Sequence, residues 1–536
     1  MRQLQHLVTA RAESQPESIA ISCENDCLGY GELERQSNQL GRILLESGCL
    51  PGDRVGILMP KSISAIVGIL GCLKAGCIYV PLDLNSPPAR LRMILESCDF
   101  RCILAKEPAQ PLLESLVGQD TEASVHVGWL SDTLPPGMSP RFTQRDIAAM
   151  PADPLDSPRN PDGIAHILFT SGSTGTPKGV MITHASVLAF VEWGIDYFGY
   201  TPSDRMSGHP PLHFDLSTFD IFGTLAAGAR LQLITPAMSL LPHKLAALIR
   251  DLELTQWFSV PSLLNYMAKF DVLEPGDFPA LRRVLWCGEV FPTPALIYWM
   301  RRLPHVTFTN LYGPTEATIA SAFYRIPECP ADENSRVPIG RACPGETLHV
   351  LDENMRPVPG GEVGELHIGG VGLSPGYWRD PEKTRNAFVP NPYRDEGGDR
   401  IYRTGDLASV GPDGLFYLHG RIDSQIKSRG YRVELGEIEA AINATGDVRE
   451  CCVTAVRTEG FEGNTICCAF VPAAGRSVSV ACLREKIAEA LPAYMLPARW
   501  MTLPVLPLNA NGKLDRPAIR KQFEANQDVS VAAGAL

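Results

Sequence analysis

The chain has 536 residues, of which 45 % are hydrophobic and 20 % charged, with 48 Lys plus Arg against 60 Asp plus Glu for a formal charge of −12. That is ordinary globular composition in a chain long enough for two or more structural units, and it excludes collagen-like, mucin-like and wholly disordered architectures. The acidic balance disfavours generic binding to nucleic acid or anionic lipid, so an anionic ligand needs a local basic site.

The opening Met1-Arg2-Gln3-Leu4-Gln5-His6 lacks a basic start followed by an apolar stretch, so no secretory signal is expected and a cytoplasmic location is. Apolar spacing over 33–45 predicts an amphipathic helix. The run 63–73, continuing past Lys74 to Leu82, is broken by Gly and Lys and falls short of the ~20 residues a membrane span needs. Segments rich in Pro and polar residues, 135–159 and 329–337, read as surface loops. With β-rich runs at 164–170 and 306–309 among the helical patterns, the chain up to about Ser424 reads as α/β. Beyond it the pattern changes to a helix over 434–444, strands near 451–456 and 466–471, a helix over 480–491 and a strand near 500–503. A small α+β domain is therefore expected, joined through the polar connection Gly420-Arg421-Ile422-Asp423-Ser424, which suits a hinge. The expected division is a large domain over 1–422 and a small mobile domain over 423–536. The 15 cysteines are scattered without C-x-x-C pairs or His clusters, and read as reduced, mostly buried thiols.

The strongest local signal is Thr170-Ser171-Gly172-Ser173-Thr174-Gly175-Thr176-Pro177-Lys178-Gly179, following an apolar strand. Glycine lets backbone N–H groups approach oxygens, the hydroxyls add donors and Lys178 adds a mobile positive charge, which suits a polyphosphate. The Walker, G-x-G-x-x-G and G-x-S-x-G patterns are absent, so this is another kind of phosphate grip. The loop resembles the signature of the adenylate-forming superfamily of acyl-CoA synthetases, luciferases and nonribosomal-peptide adenylation domains. Further matches follow in that family's order: Leu73-Lys74-Ala75-Gly76, Asn310-Leu311-Tyr312-Gly313-Pro314-Thr315-Glu316, Gly364-Glu365-Leu366-His367-Ile368-Gly369-Gly370, Tyr402-Arg403-Thr404-Gly405-Asp406, Gly420 to Gly430, and Asn511-Gly512-Lys513-Leu514-Asp515-Arg516. They cover nearly the whole chain.

The resemblance implies ATP and Mg²⁺ as cofactors and a role for each matching residue. Thr170, Ser171, Gly172, Ser173, Thr174, Gly175 and Lys178 would grip the phosphates, and Glu316 with Thr315 would hold the magnesium. Tyr312 would stack on adenine, Asn310 would read its edge, Asp406 would accept the ribose hydroxyls, and Arg421 would contact the ribose. Lys513 would reach the substrate carboxylate and α-phosphate as the main catalytic residue, which fits the need to bring two anions together. Asp423 would be the hinge.

The segment His213-Phe214-Asp215-Leu216-Ser217-Thr218-Phe219 resembles the pocket of amino-acid-activating members, where an Asp at the position of Asp215 pairs with the substrate ammonium. An unpaired buried carboxylate is costly, so a cationic ligand makes sense of it, although a helix N-cap would also use an Asp there. By the same match the remaining pocket is Leu216, Phe219, Phe258, Leu285, Cys287, Leu311, Ile319 and Ala320. All are apolar, which disfavours polar or charged substrate side chains. The set resembles stand-alone prolyl adenylation enzymes, with Phe258 and Cys287 where those usually have Tyr and Ala. L-Proline is thus the expected substrate, loaded on a separate phosphopantetheinylated carrier protein. The alternatives are another small apolar amino acid, or a carboxylic acid ligated to coenzyme A.

Overall fold

The computed structural model describes residues 2–116, 125–156, 163–172, 175–239, 241–393, 399–457, 464–474, 476, 478–508 and 514–525. These form two compact units. The first comprises residues 1–84, 98–168 and 179–422, and the second comprises 85–97, 169–178 and 423–536.

The first unit is α/β. A nine-stranded sheet is built around parallel strands in the order Thr307–Tyr312, Arg283–Trp286, Gln256–Ser259, Arg205–Gly208, Arg230–Leu233 and Ile19–Cys23. Alternation along these strands sends successive side chains to opposite faces. Phe258, Leu285 and Leu311 fall in one hydrophobic core while Trp257, Val284, Trp286 and Phe308 fall in another, so the strands Gln256–Ser259, Arg283–Trp286 and Thr307–Tyr312 are buried on both sides. A seven-stranded sheet has the strands Arg54–Leu58, Ile78–Pro81, Cys102–Ala105 and His126–Trp129 in parallel pairs, and a third sheet pairs Glu346–Leu351, Gly364–Gly370 and Arg400–Val410 antiparallel.

In the second unit the strands Val448–Arg457, Asn464–Pro472 and Arg499–Thr502 form a three-stranded sheet, with helices Leu435–Ala444 and Val480–Ala488 on a shared core. This is the α+β pattern expected over the last hundred residues.

The helix expected over 33–45 is Tyr30–Glu46, and the apolar run at 63–73 is the helix Ile63–Lys74. No helix among the described residues is long and apolar enough to cross a membrane. The loop expected over 135–159 needs correction, since it contains the strand Phe142–Thr143 and the helix Gln144–Ala149. A capping box starts this helix: the Asp146 backbone N–H donates to the Thr143 hydroxyl, and the Asp146 carboxylate accepts the Thr143 backbone N–H. That reciprocal pair secures a helix too short to show apolar periodicity. All 15 cysteines are free thiols; Cys27 and Cys482 are exposed, Cys23 and Cys329 partly so, and the rest are buried.

Candidate active site

In the first unit, the strand Thr307–Tyr312 runs into a tight turn and a single 3-10 turn, Thr315–Ala317. Gly313 is required there, because a Cβ at this position would sit 2.5 Å from the Cα of Ala320. Thr318 and Ile319 then take φ of 55° and 72°, a left-handed conformation that costs β-branched residues roughly 1–3 kcal/mol each. Strain of this kind persists only where surrounding structure enforces it. Here the Thr318 hydroxyl donates to the Gly372 carbonyl at 2.7 Å, and Ile319 and Ala320 are driven into the core at 1 % exposure each.

Asp215 occupies the N-cap position of the helix Leu216–Ala227, yet its side chain makes no capping hydrogen bond. Its Oδ2 instead accepts the Thr315 hydroxyl at 2.8 Å. The structure thus joins the residue expected to hold the ammonium to one expected to hold magnesium. Glu316 is fully buried and accepts the Tyr377 hydroxyl at 2.8 Å.

The eight residues expected to line a pocket, Leu216, Phe219, Phe258, Leu285, Cys287, Leu311, Ile319 and Ala320, are all buried in one core cluster. Phe258 pairs with Leu285 across the parallel strands, and the Phe258 and Phe219 rings meet edge-on at 6.2 Å. The Cys287 thiol faces the Ile319 carbonyl at 3.8 Å.

A second constellation forms where the strands Arg400–Val410 and Phe416–Arg421 pair Asp406 with Arg421. Asp406 accepts the Tyr312 hydroxyl and an Arg421 N–H, each at 2.6 Å, and Arg421 also donates to the Thr404 carbonyl at 3.0 Å. Burial beside the Asp406 carboxylate pushes the Tyr312 phenol well above its ordinary range, so it stays a donor. A carboxylate has about four acceptor positions, so two donors leave Asp406 able to accept more. Asn310 donates to the Pro338 carbonyl at 2.9 Å, which fixes its amide plane.

In the second unit, Thr170, expected to grip phosphate, has a buried hydroxyl without a partner among the described residues. Ser171 donates to the Arg432 carbonyl at 2.6 Å, the Gly172 N–H to Glu437 at 3.1 Å, and the Gly175 N–H to the Gly172 carbonyl at 2.9 Å. Lys178 Nζ lies 3.6 Å from Glu434. Gly172 is needed because a Cβ would come within 2.1 Å of the Thr176 carbonyl oxygen. Ser173, Thr174 and Lys513 lie outside the described residues.

These residues fit the groups the motifs imply. Magnesium takes hard oxygen ligands, usually one or two carboxylates with the rest from phosphate and water, and Glu316 with the Thr315 hydroxyl is such a donor set. No group of three or more His, Cys, Asp or Glu that could hold a metal by itself occurs among the described residues. For ATP, the orphaned Thr170 hydroxyl is a donor in want of an acceptor. A cleft of about 410 Å³ lined by Gln36, Ser64, Lys106 and Gln144, among others, contains none of the expected site residues.

Two supporting residues escaped sequence reasoning. Tyr377, which holds Glu316, carries no local signal. Glu346 accepts the Gly372 N–H at 2.7 Å through Oε1 while its Oε2 is buried without a partner among the described residues, and burial pushes its carboxyl up to about 7. The neutral form is therefore favoured on folding, so this contribution is complete below the usual 4.5 and is lost as pH rises through about 7. Glu346→Gln keeps an acceptor for Gly372 without the charge. Its melting temperature is expected to gain on the wild type between pH 4.5 and pH 8, and a constant difference across that range would refute the assignment.

The AMP-binding enzyme model matches residues 8–378 and the AMP-binding enzyme C-terminal domain model matches 437–513. The chain belongs to the AMP-binding enzyme family. It is 36 % identical to surfactin synthase subunit 2 of Bacillus subtilis over 97 % of this chain and 14 % of that protein. With tyrocidine synthase 1 of Brevibacillus parabrevis it shares 34 % identity over 98 % of this chain and 46 % of that protein. The AMP-binding chain thus spans less than half the length of these relatives. Among solved structures it resembles the Vibrio cholerae adenylation domain AlmE in complex with glycyl-adenosine-5′-phosphate, with a TM-score of 0.84, 25 % identity and 98 % of each chain covered.

Proposed function

We propose that this AMP-binding enzyme activates an amino acid, L-proline before others, to aminoacyl-AMP with release of pyrophosphate, and then passes it to the phosphopantetheine thiol of a separate carrier protein. One observation supports the reading: Asp215, whose carboxylate makes no capping bond, precedes a helix whose Leu216 and Phe219 share one buried apolar core with the other residues expected to line the pocket. Such a site suits an ammonium attached to a compact hydrocarbon.

In the first half-reaction a substrate carboxylate oxygen bonds to the α-phosphorus, and the bond from that phosphorus to the bridging oxygen breaks, with pyrophosphate taking the electron pair. The chain needs no covalent nucleophile for this. Asp215 orients the amine, and Asp406, Arg421, Tyr312 and Asn310 position the nucleoside. The loop over 170–178 holds the phosphates, and Lys513 offsets the meeting of two anions. Glu316 and Thr315 would hold magnesium, which when bound neutralises phosphate charge. Asp423 is the proposed hinge between the half-reactions.

A coenzyme A ligase acting on a carboxylic acid is the second reading, and Asp215 disfavours it because an acid without an amine offers that carboxylate no cation to attract. The test is pyrophosphate exchange into ATP across a panel of amino acids. Proline is expected to give the highest rate. Discrimination by apolar shape gains only about 1–3 kcal/mol per methylene, so slower exchange with close analogues is also expected. Exchange no greater with proline than with the panel background would end the substrate reading.

A further inference from the structure

Within the second unit the phosphate loop is already supplied with anions. Glu437, with only 2 % of its side chain exposed, accepts the Gly172 N–H at 3.1 Å through one oxygen and pairs with the Arg90 guanidinium through the other. Glu434 Oε1 lies 3.6 Å from Lys178 Nζ and accepts the Gln425 amide at 2.6 Å. Ser171 completes the set through the Arg432 carbonyl at 2.6 Å. A backbone N–H, a lysine ammonium and a guanidinium around carboxylate oxygens are the groups that would surround phosphate oxygens. The Gly172 N–H carries one hydrogen and cannot serve Glu437 and a phosphate equally well.

We propose that Glu437 and Glu434 are internal stand-ins for polyphosphate, holding the loop's donors when no nucleotide is bound and competing with ATP and pyrophosphate for them. The proposal rests on the reading that the loop over 170–178 binds polyphosphate. Competition of this kind lowers apparent affinity by the fraction of molecules whose loop is open. It hinders ATP entry and pyrophosphate return alike.

The sign of the effect distinguishes this from a structural strut. Removing a strut weakens binding, whereas removing a competitor strengthens it. The test is calorimetric titration of the full chain with inorganic pyrophosphate, comparing wild type with Glu437→Gln and Glu434→Gln after confirming by circular dichroism that each variant is folded. Glu434→Gln is the safer variant, since it leaves the buried Arg90 pair intact. Dissociation constants about fivefold or more below wild type are expected. Lys178→Ala is the control. If it loses pyrophosphate binding but neither glutamate variant gains, the proposal is overturned and the loop reading stands; if it binds as wild type does, the loop reading fails and the proposal with it.

Discussion

Asp215→Asn is expected to abolish proline-dependent pyrophosphate exchange, lowering kcat/KM by about a hundredfold or more. Removing one member of a hydrogen-bonded charge pair costs about 2–5 kcal/mol, each 1.4 kcal/mol being about tenfold. The carboxylate accepts the Thr315 hydroxyl at 2.8 Å and makes no capping bond, so its role lies away from the helix terminus. Were Asp215 only a helix cap, the same change would be nearly neutral in stability, because Asn caps about as well as Asp, and would leave exchange nearly intact. Thermal melting alongside the exchange assay separates the two. A folded Asp215→Asn protein with wild-type proline exchange would refute the pocket assignment.

Lys513→Ala is expected to reduce exchange by about a hundredfold to a thousandfold, in line with about 2.7–4 kcal/mol for one positioned group acting on developing charge. Asp423→Pro should behave differently. Asp423 begins the third segment of the second unit, and its carboxylate accepts the Gln425 N–H at 3.1 Å. Proline there fixes φ and removes an N–H, restricting the rotation a hinge needs. Exchange is expected to stay within a few-fold of wild type while transfer to a carrier thiol falls by at least about tenfold. The measurement is paired: exchange for the first half-reaction, and loading of a phosphopantetheinylated carrier, followed by intact-protein mass spectrometry, for the second. Equal losses in both assays for Asp423→Pro would rule out a hinge role.

Much of the fold was legible because its signals are local. The apolar spacing at 33–45 anticipates the helix Tyr30–Glu46, and the β-rich run at 164–170 is the strand Ile164–Thr170. The loop expected over 135–159 failed because its helix has six residues and only Ile147 is buried in it, too little for a periodic pattern to show. The residues expected to line a pocket were grouped only by resemblance; strand register, which pairs Phe258 with Leu285 and Leu285 with Thr309, helps place them in one core.

By itself the sequence determined which chemical groups this chain can offer: a hydroxyl-rich glycine loop with one lysine, a turn bearing Glu316, and carboxylates at Asp215 and Asp406. Only the tertiary structure decided whom those groups meet. Tyr377 reaches Glu316 from 61 residues away, Glu346 reaches Gly372 from 26, and Glu437 reaches Gly172 from 265. Side-chain periodicity and turn chemistry act over a few residues, whereas these encounters are set by strand order and helix packing, which no short stretch of the chain encodes.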